Sequence, residues 1–165
     1  MVMHPTAQKV ADAAQALGLN ITIKEFEAST RTAEDAANAI GCTVAQIVKS
    51  LLFVVNGQPT MVLMSGVNQL DEKKLAGLGG VGKKKVKRAD AEIAREATGF
   101  AIGGVPPFGH TTQLPTYVDE DLLQFEVVWA AAGTPNTVFL IKSQELVQFA
   151  EGVVANLKTG QMPQN

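Results

Sequence analysis

The chain has 165 residues, 46% of them hydrophobic and 18% charged, with a formal net charge of −2. That length fits one domain over residues 1–165, and that composition can bury a core, which excludes a disordered chain. The acidic balance excludes wholesale phosphate neutralisation, so any RNA partner must be gripped locally and with salt-sensitive affinity.

Pro5 to Leu17 sets Val10, Ala13, Ala14 and Leu17 at helical spacing, and Gly18 stops the helix. Ile21, Ile23 and Phe26 then follow a strand-like pattern. Thr32 precedes Glu34 and Asp35 as a helix cap followed by first-turn acids, and that helix ends at Gly41. After a short turn at Thr43, the strongest strand signal runs from Val48 to Val55. Asn56-Gly57 predicts a hairpin, with Pro59 to Met64 as its return strand. Leu70 to Leu78 reads as a helix opened by Asp71. Lys83 to Arg88 reads as a short basic edge strand, and a further helix runs from Ala89-Asp90 to Thr98-Gly99. A stiff loop, Gly103-Gly104-Val105-Pro106-Pro107-Phe108-Gly109, comes next. Strands at Thr116–Asp119, Glu126–Ala130 and Thr137–Ile141 follow, then a helix capped by Ser143. Residues 159–165 read as a loose tail. Helices and strands mix without strict alternation, so the expected class is α/β of the α+β type, a mixed sheet flanked by helices.

The first ten residues lack a basic stretch followed by an apolar core. No apolar run approaches the roughly 20 residues that span a bilayer. With one cysteine, Cys42, no internal disulfide forms. A cytoplasmic protein with a reduced thiol is expected. His4 and His110 make no metal-ligand spacing with Cys42, so neither a metal nor a cofactor is expected. A nucleophile pair of Cys42 and His110 is conceivable. A lone cysteine just after a helix-ending glycine is more often a small buried hydrophobe.

Three features carry candidate chemistry. Lys49 stands at the mouth of an otherwise apolar strand. It either snorkels past the strand end, pairs with an acid, or meets an anionic ligand. The Gly103 to Gly109 loop combines glycines, which let backbone approach a ligand, with prolines that stiffen it. It serves equally as an ordinary tight turn or as a holder of carbonyl oxygen or phosphate. Lys83, Lys84, Lys85, Lys87 and Arg88 are five of the 14 Lys and Arg residues. They form either an RNA-backbone contact or an edge strand guarded by lysines.

Taken together, Val48-Lys49-Ser50-Leu51-Leu52, Asn68-Gln69-Leu70-Asp71 and Thr98-Gly99-Phe100 with Gly103-Gly104-Val105-Pro106-Pro107 resemble the YbaK/ProX family. That family is similar to the editing domain of bacterial prolyl-tRNA synthetases. The resemblance covers roughly residues 5 to 150. It implies a partly barrel-like mixed sheet and hydrolysis, in trans, of the ester of a mischarged tRNA carrying a small amino acid. It also implies roles for particular residues. Lys49 holds the terminal adenosine phosphate or the substrate backbone. Gly103, Gly104, Val105, Pro106 and Pro107 form the GxxxP loop whose amides face the carbonyl. Asn136 matches a polar position after a strand, and Thr30-Arg31-Thr32 a pocket-edge segment. Where relatives read Ser-Gly-Gly or His-Pro, this chain reads Ala130-Ala131-Ala132, which speaks against a cysteine substrate and for Ala, Ser or Thr. A tRNA of the proline type, and an aminoacyl-tRNA synthetase as a further partner, follow from the same resemblance. A monomer or a homodimer fits equally. The rival reading is a non-catalytic module binding tRNA or a nucleotide in the same pocket.

Overall fold

A computed structural model describes residues 4–26 and 32–160. The elements in order are α1 (Pro5–Ala16), β1 (Ile23–Glu25), α2 (Ala33–Ile40), β2 (Val48–Val55), β3 (Gln58–Ser65), α3 (Glu72–Leu78) and β4 (Val86–Arg88). They continue as α4 (Ala91–Thr98), β5 (Thr116–Asp119), β6 (Val127–Ala131), β7 (Thr137–Lys142), α5 (Ser143–Ala150) and β8 (Val153–Ala155). Side-chain caps set the helix starts. Thr32 Oγ1 accepts the Asp35 N–H at 3.0 Å, and Asp90 Oδ1 accepts the Ile93 N–H at 2.8 Å.

The β2–β3 hairpin is the spine. Asn56 (φ 51°) and Gly57 (φ 82°) both adopt the left-handed conformation of a tight hairpin turn. The register then pairs Val55 with Gln58 and Val48 with Ser65. Around the hairpin builds a five-stranded sheet in the order β4-β2-β3-β5-β8, in which β3–β5 and β5–β8 are parallel. A second, antiparallel sheet has the order β1-β7-β6.

The five-stranded sheet is the mixed sheet expected from the sequence; the second sheet packs against it and, among the described residues, is joined to it by one isolated β-bridge, between Ile47 and Trp129. Both faces of the larger one are covered. Val48, Leu52, Met61, Leu63 and Val118 join Val128, Ala130, Phe139 and Ile141 in the main core. The alternate residues Phe53, Val55, Val62 and Met64 meet Leu75, Ala76 and Leu157 in a second core beneath α3. Apolar runs in β2 and β3, with no polar alternation, follow from this double burial.

Three local expectations need correction. Lys83–Lys85 form a 3-10 turn, and only Val86–Arg88 are strand. Ser143 is the first residue of α5, and no side chain caps that helix. Its hydroxyl instead donates to the Phe125 carbonyl at 2.6 Å. Strand β8 was unforeseen, because three residues carry too little pattern to read.

Gly77 lies inside α3 with no heavy atom within 4 Å of an added Cβ. Gly77→Ala should therefore raise stability by about 0.5–1 kcal/mol. A higher denaturant midpoint at unchanged m-value would report it.

Candidate functional site

The site originates in a fork. On the edge of β2 that β3 leaves free, β4 pairs only along Phe53–Val55, while the ladder contact with β6 is the isolated bridge from Ile47, just before β2, to Trp129. Between those contacts the edge at Val48, Lys49, Ser50 and Leu51 is open. A cavity of about 650 Å³ fills the gap. It is bordered by those residues, by Arg88 of β4, by Trp129, Ala130 and Ala131 of β6, and by Gly103 and Val105 of the glycine–proline loop.

Lys49 is half-buried at this opening. It pairs with Met64, in the Leu51 and Phe53 series, and its ammonium donates to the Asn68 carbonyl. Burial holds the Lys49 pKa below that of an ordinary lysine. Nearby Asp119 opposes the shift, and Arg88 adds to it. Ser50 belongs to the other series, with Val48 and Leu52, on the face shared with Val105 and Ala130. Lysine and loop therefore border one cavity from different sides of the strand edge. Among the described residues, the Ser50 hydroxyl is the one buried side-chain polar atom without a hydrogen-bond partner.

The loop is built against β6–β7. Gly103 has φ 98°, which favours glycine. Gly104 packs on Gly133, whose N–H donates to the Gly104 carbonyl at 2.9 Å. The Gly104 N–H is itself engaged, donating to Ala101 at 3.1 Å. Among the described residues, the N–H groups of Gly103 and Val105 donate to no protein acceptor, and both residues line the cavity. Pro106 and Pro107 have no N–H to offer. The Pro106 carbonyl accepts from His110 Nε2 at 2.6 Å, and Pro107 borders a separate cavity of about 300 Å³ with Leu17, His110 and Phe149. Two N–H groups at the glycine end of the loop are thus left unengaged, and its proline end is a brace.

The other candidates divide. Ala130 is buried in the cavity floor. Asn136 ties the rim together: its side-chain amide donates to the Phe26 carbonyl at 2.9 Å, and its oxygen accepts from Thr134 at 3.0 Å. Thr30 and Arg31 lie outside the described residues. Within the basic run only Arg88 borders the cavity. Lys85 sits at the hairpin end, where its carbonyl accepts from Asn56. At about 3.3 Å per residue, that end is about 20 Å along β2 from Lys49.

Cys42 packs beside α2, Ile47 and Trp129, and burial raises its thiol pKa. His110 lies in the other cavity, its pKa lowered by burial. The structure does not assemble them as a pair. Among the described residues no cluster of three or more His, Cys, Asp or Glu could hold a metal, and no helix is long and apolar enough to cross a membrane.

Sequence alone does not mark Ser50, Thr134 or Asn68 as site residues. Ser50 and Asn68 both fall inside the quoted motifs, but only the fold shows one hydroxyl unpartnered and one carbonyl facing the lysine.

Comparison with known proteins gives a consistent picture. A family described as the aminoacyl-tRNA editing domain matches residues 27–149. A Bacillus subtilis protein named "Uncharacterized protein YwhH" is 34% identical over 78% of this chain and 80% of its own length. An Enterococcus faecalis protein named "Putative Cys-tRNA(Pro)/Cys-tRNA(Cys) deacylase EbsC" is 30% identical over 78% of this chain and 77% of its own. A crystal structure of "a putative trans-editing enzyme for prolyl tRNA synthetase" superposes with a TM-score of 0.91 at 46% identity, over 96% of this chain and 100% of that one.

Proposed function

We propose that this chain, which belongs to the aminoacyl-tRNA editing domain family, is a cytoplasmic deacylase that acts in trans. It hydrolyses the ester that joins a wrongly attached small amino acid to the 3′ end of a tRNA of the proline type. The observation that carries the reading is the cavity at the β2 fork, where a half-buried lysine, two unengaged loop amides and a small-residue floor border one space.

The chemistry asks little of the protein, because an aminoacyl ester is already activated. Lys49 grips the terminal adenosine phosphate or the substrate backbone at the strand edge. The Gly103 and Val105 N–H groups receive the carbonyl oxygen as it becomes an oxyanion. Water adds to the carbonyl carbon, oriented by the neighbouring ribose hydroxyl. The bond to the ribose oxygen then breaks, and that oxygen leaves with the proton the water gave up. Positioning supplies most of the rate.

The floor of Ala130 and Ala131, with Val138 beside it, suits alanine, serine or threonine. A pocket separates one methylene by only about 1–3 kcal/mol, so rejection of the correct amino acid depends on its larger size. The deciding experiment is a deacylation panel of Ala-, Ser-, Thr-, Cys- and Pro-tRNA(Pro). Loss of the small esters with Pro-tRNA(Pro) spared supports the reading. Preference for the cysteinyl ester would move the substrate towards the one in the Enterococcus protein's name. Binding without turnover of any member would replace the enzyme by a binding module.

The basic turn supplies a second test. Replacing Lys83, Lys84 and Lys85 together with alanine should raise KM while leaving kcat near its original value. It should also make the slope of log affinity against log salt shallower by about two to three, since each of the three lost phosphate contacts removes about 0.7–0.9 of a unit. An unchanged salt slope would detach that turn from the RNA.

A further inference from the structure

Behind Lys49 lies a chain of polar contacts that ends near the C-terminus. The Asn68 carbonyl accepts the Lys49 ammonium. The Asn68 side-chain amide donates to Asp119 Oδ2 and to Asp121 Oδ2, each at 2.8 Å. Asp119 is fully buried and also receives the backbone N–H groups of Ser65 and Asp121, both at 3.0 Å. Asp121 is part-exposed, and its second partner is the Lys158 ammonium at 2.9 Å.

Lys158 is itself held by the strap that carries it. The Asp71 N–H donates to the Leu157 carbonyl at 2.8 Å, and the Thr159 N–H donates to Gln69 at 2.9 Å. Lys74 donates to the Lys158 carbonyl at 2.7 Å. Leu157 is fully buried in the core beneath α3. Residues 157–159 therefore lie across the 68–71 turn. The family match ends at residue 149, so this strap lies beyond it.

Electrostatics give the arrangement its purpose. Two carboxylates converge on one amide nitrogen and repel each other unless a cation neutralises them. Hydrogen bonding to Lys158 first, and to Asn68 second, keeps the Asp121 carboxyl below the usual range. Without Lys158, water is the better partner for part-exposed Asp121. Asn68 would then lose one of its two anchors, and its carbonyl would lose its fixed aim.

We propose that Lys158 is a positioning residue of the editing site: through Asp121 and Asn68 it fixes the carbonyl that aims the Lys49 ammonium. The strap is thereby part of the site. The proposal rests on the role given to Lys49 above and extends it to a residue that touches no substrate.

The test is a mutant cycle read by deacylation kinetics on the best substrate of the panel, with thermal unfolding alongside. Lys158→Met should lower kcat/KM about 5- to 10-fold, the scale expected of coupled neighbours. Its thermal midpoint should fall only slightly, because a part-exposed ion pair contributes little to stability. Lys158→Arg should restore activity. In an Asp121→Ala background, Lys158→Met should change kcat/KM less than about 2-fold, because the relay is already cut. Equal losses in both backgrounds would mark Lys158 as a direct RNA contact and overturn the relay. Unimpaired Lys158→Met beside an inactive Lys49→Ala would overturn the strap's role alone. A fully active Lys49→Ala would overturn both that role and the reading beneath it.

Discussion

Lys49→Ala should abolish deacylation, lowering kcat/KM by at least about a hundredfold, the scale of losing one charged or oxyanion-directed donor. The fold should persist. The lysine is half-buried at an open strand edge, and its removal leaves Asp119 with the Ser65, Asn68 and Asp121 donors. Ester loss from a mischarged tRNA measures the first expectation, and circular dichroism with thermal unfolding measures the second. A variant that hydrolyses every cleavable ester at the original rate would remove Lys49 from the chemistry.

Gly104→Ala should damage both stability and activity. An added Cβ would lie 2.6 Å from the carbonyl carbon and oxygen of Gly133 and 2.7 Å from the Thr134 nitrogen. These are backbone atoms, and they cannot swing aside as a side-chain tip can. Gly133 has little room to retreat, since its own Cα approaches α1 closely enough that a Cβ there would meet the Thr6 carbonyl at 2.9 Å. Overpacking of this kind costs about 3 kcal/mol. In a chain of this size that corresponds to a fall of about 10 °C in Tm. The loop must move away from β6–β7, carrying the Gly103 and Val105 amides with it. A displacement near 1 Å at a reacting centre reduces rate about a hundredfold. Gly82→Ala is the control, because no heavy atom lies within 4 Å of its Cβ and its φ is negative. It should match the parent in both assays.

Much of this architecture can be read from local chemistry. Strand β2 is an apolar run closed by Asn56-Gly57, and the α2 and α4 boundaries follow from Thr32 and Asp90 at one end and Gly41 and Gly99 at the other. Those signals act within a few residues, so sequence carries them. The division into two sheets does not reside in any segment. It depends on β4 pairing only as far as Phe53 and on the backbone pairing toward β6 being limited to the Ile47–Trp129 bridge. The site shows the same limit. Lys49 and the glycine loop stand out by composition, yet both faces of β2 are apolar. Alternation alone therefore does not say which face the loop covers. Only the fold gives the loop-facing position to Ser50, a residue with no compositional prominence. The Asn68–Asp121 and Asp121–Lys158 contacts join positions 53 and 37 residues apart, and nothing in their spacing announces them.

Among the described residues strand β8 pairs only with β5, and the strap that follows it closes over the 68–71 turn. Synthesis runs from the N-terminus, so the hairpin, the loop and the cavity walls all leave the ribosome before the strap does. A nascent chain halted just short of Leu157 already holds every residue that borders the cavity, yet lacks the segment that steadies the turn beneath Lys49. The segment that steadies the candidate site is thus made only after every wall of its cavity.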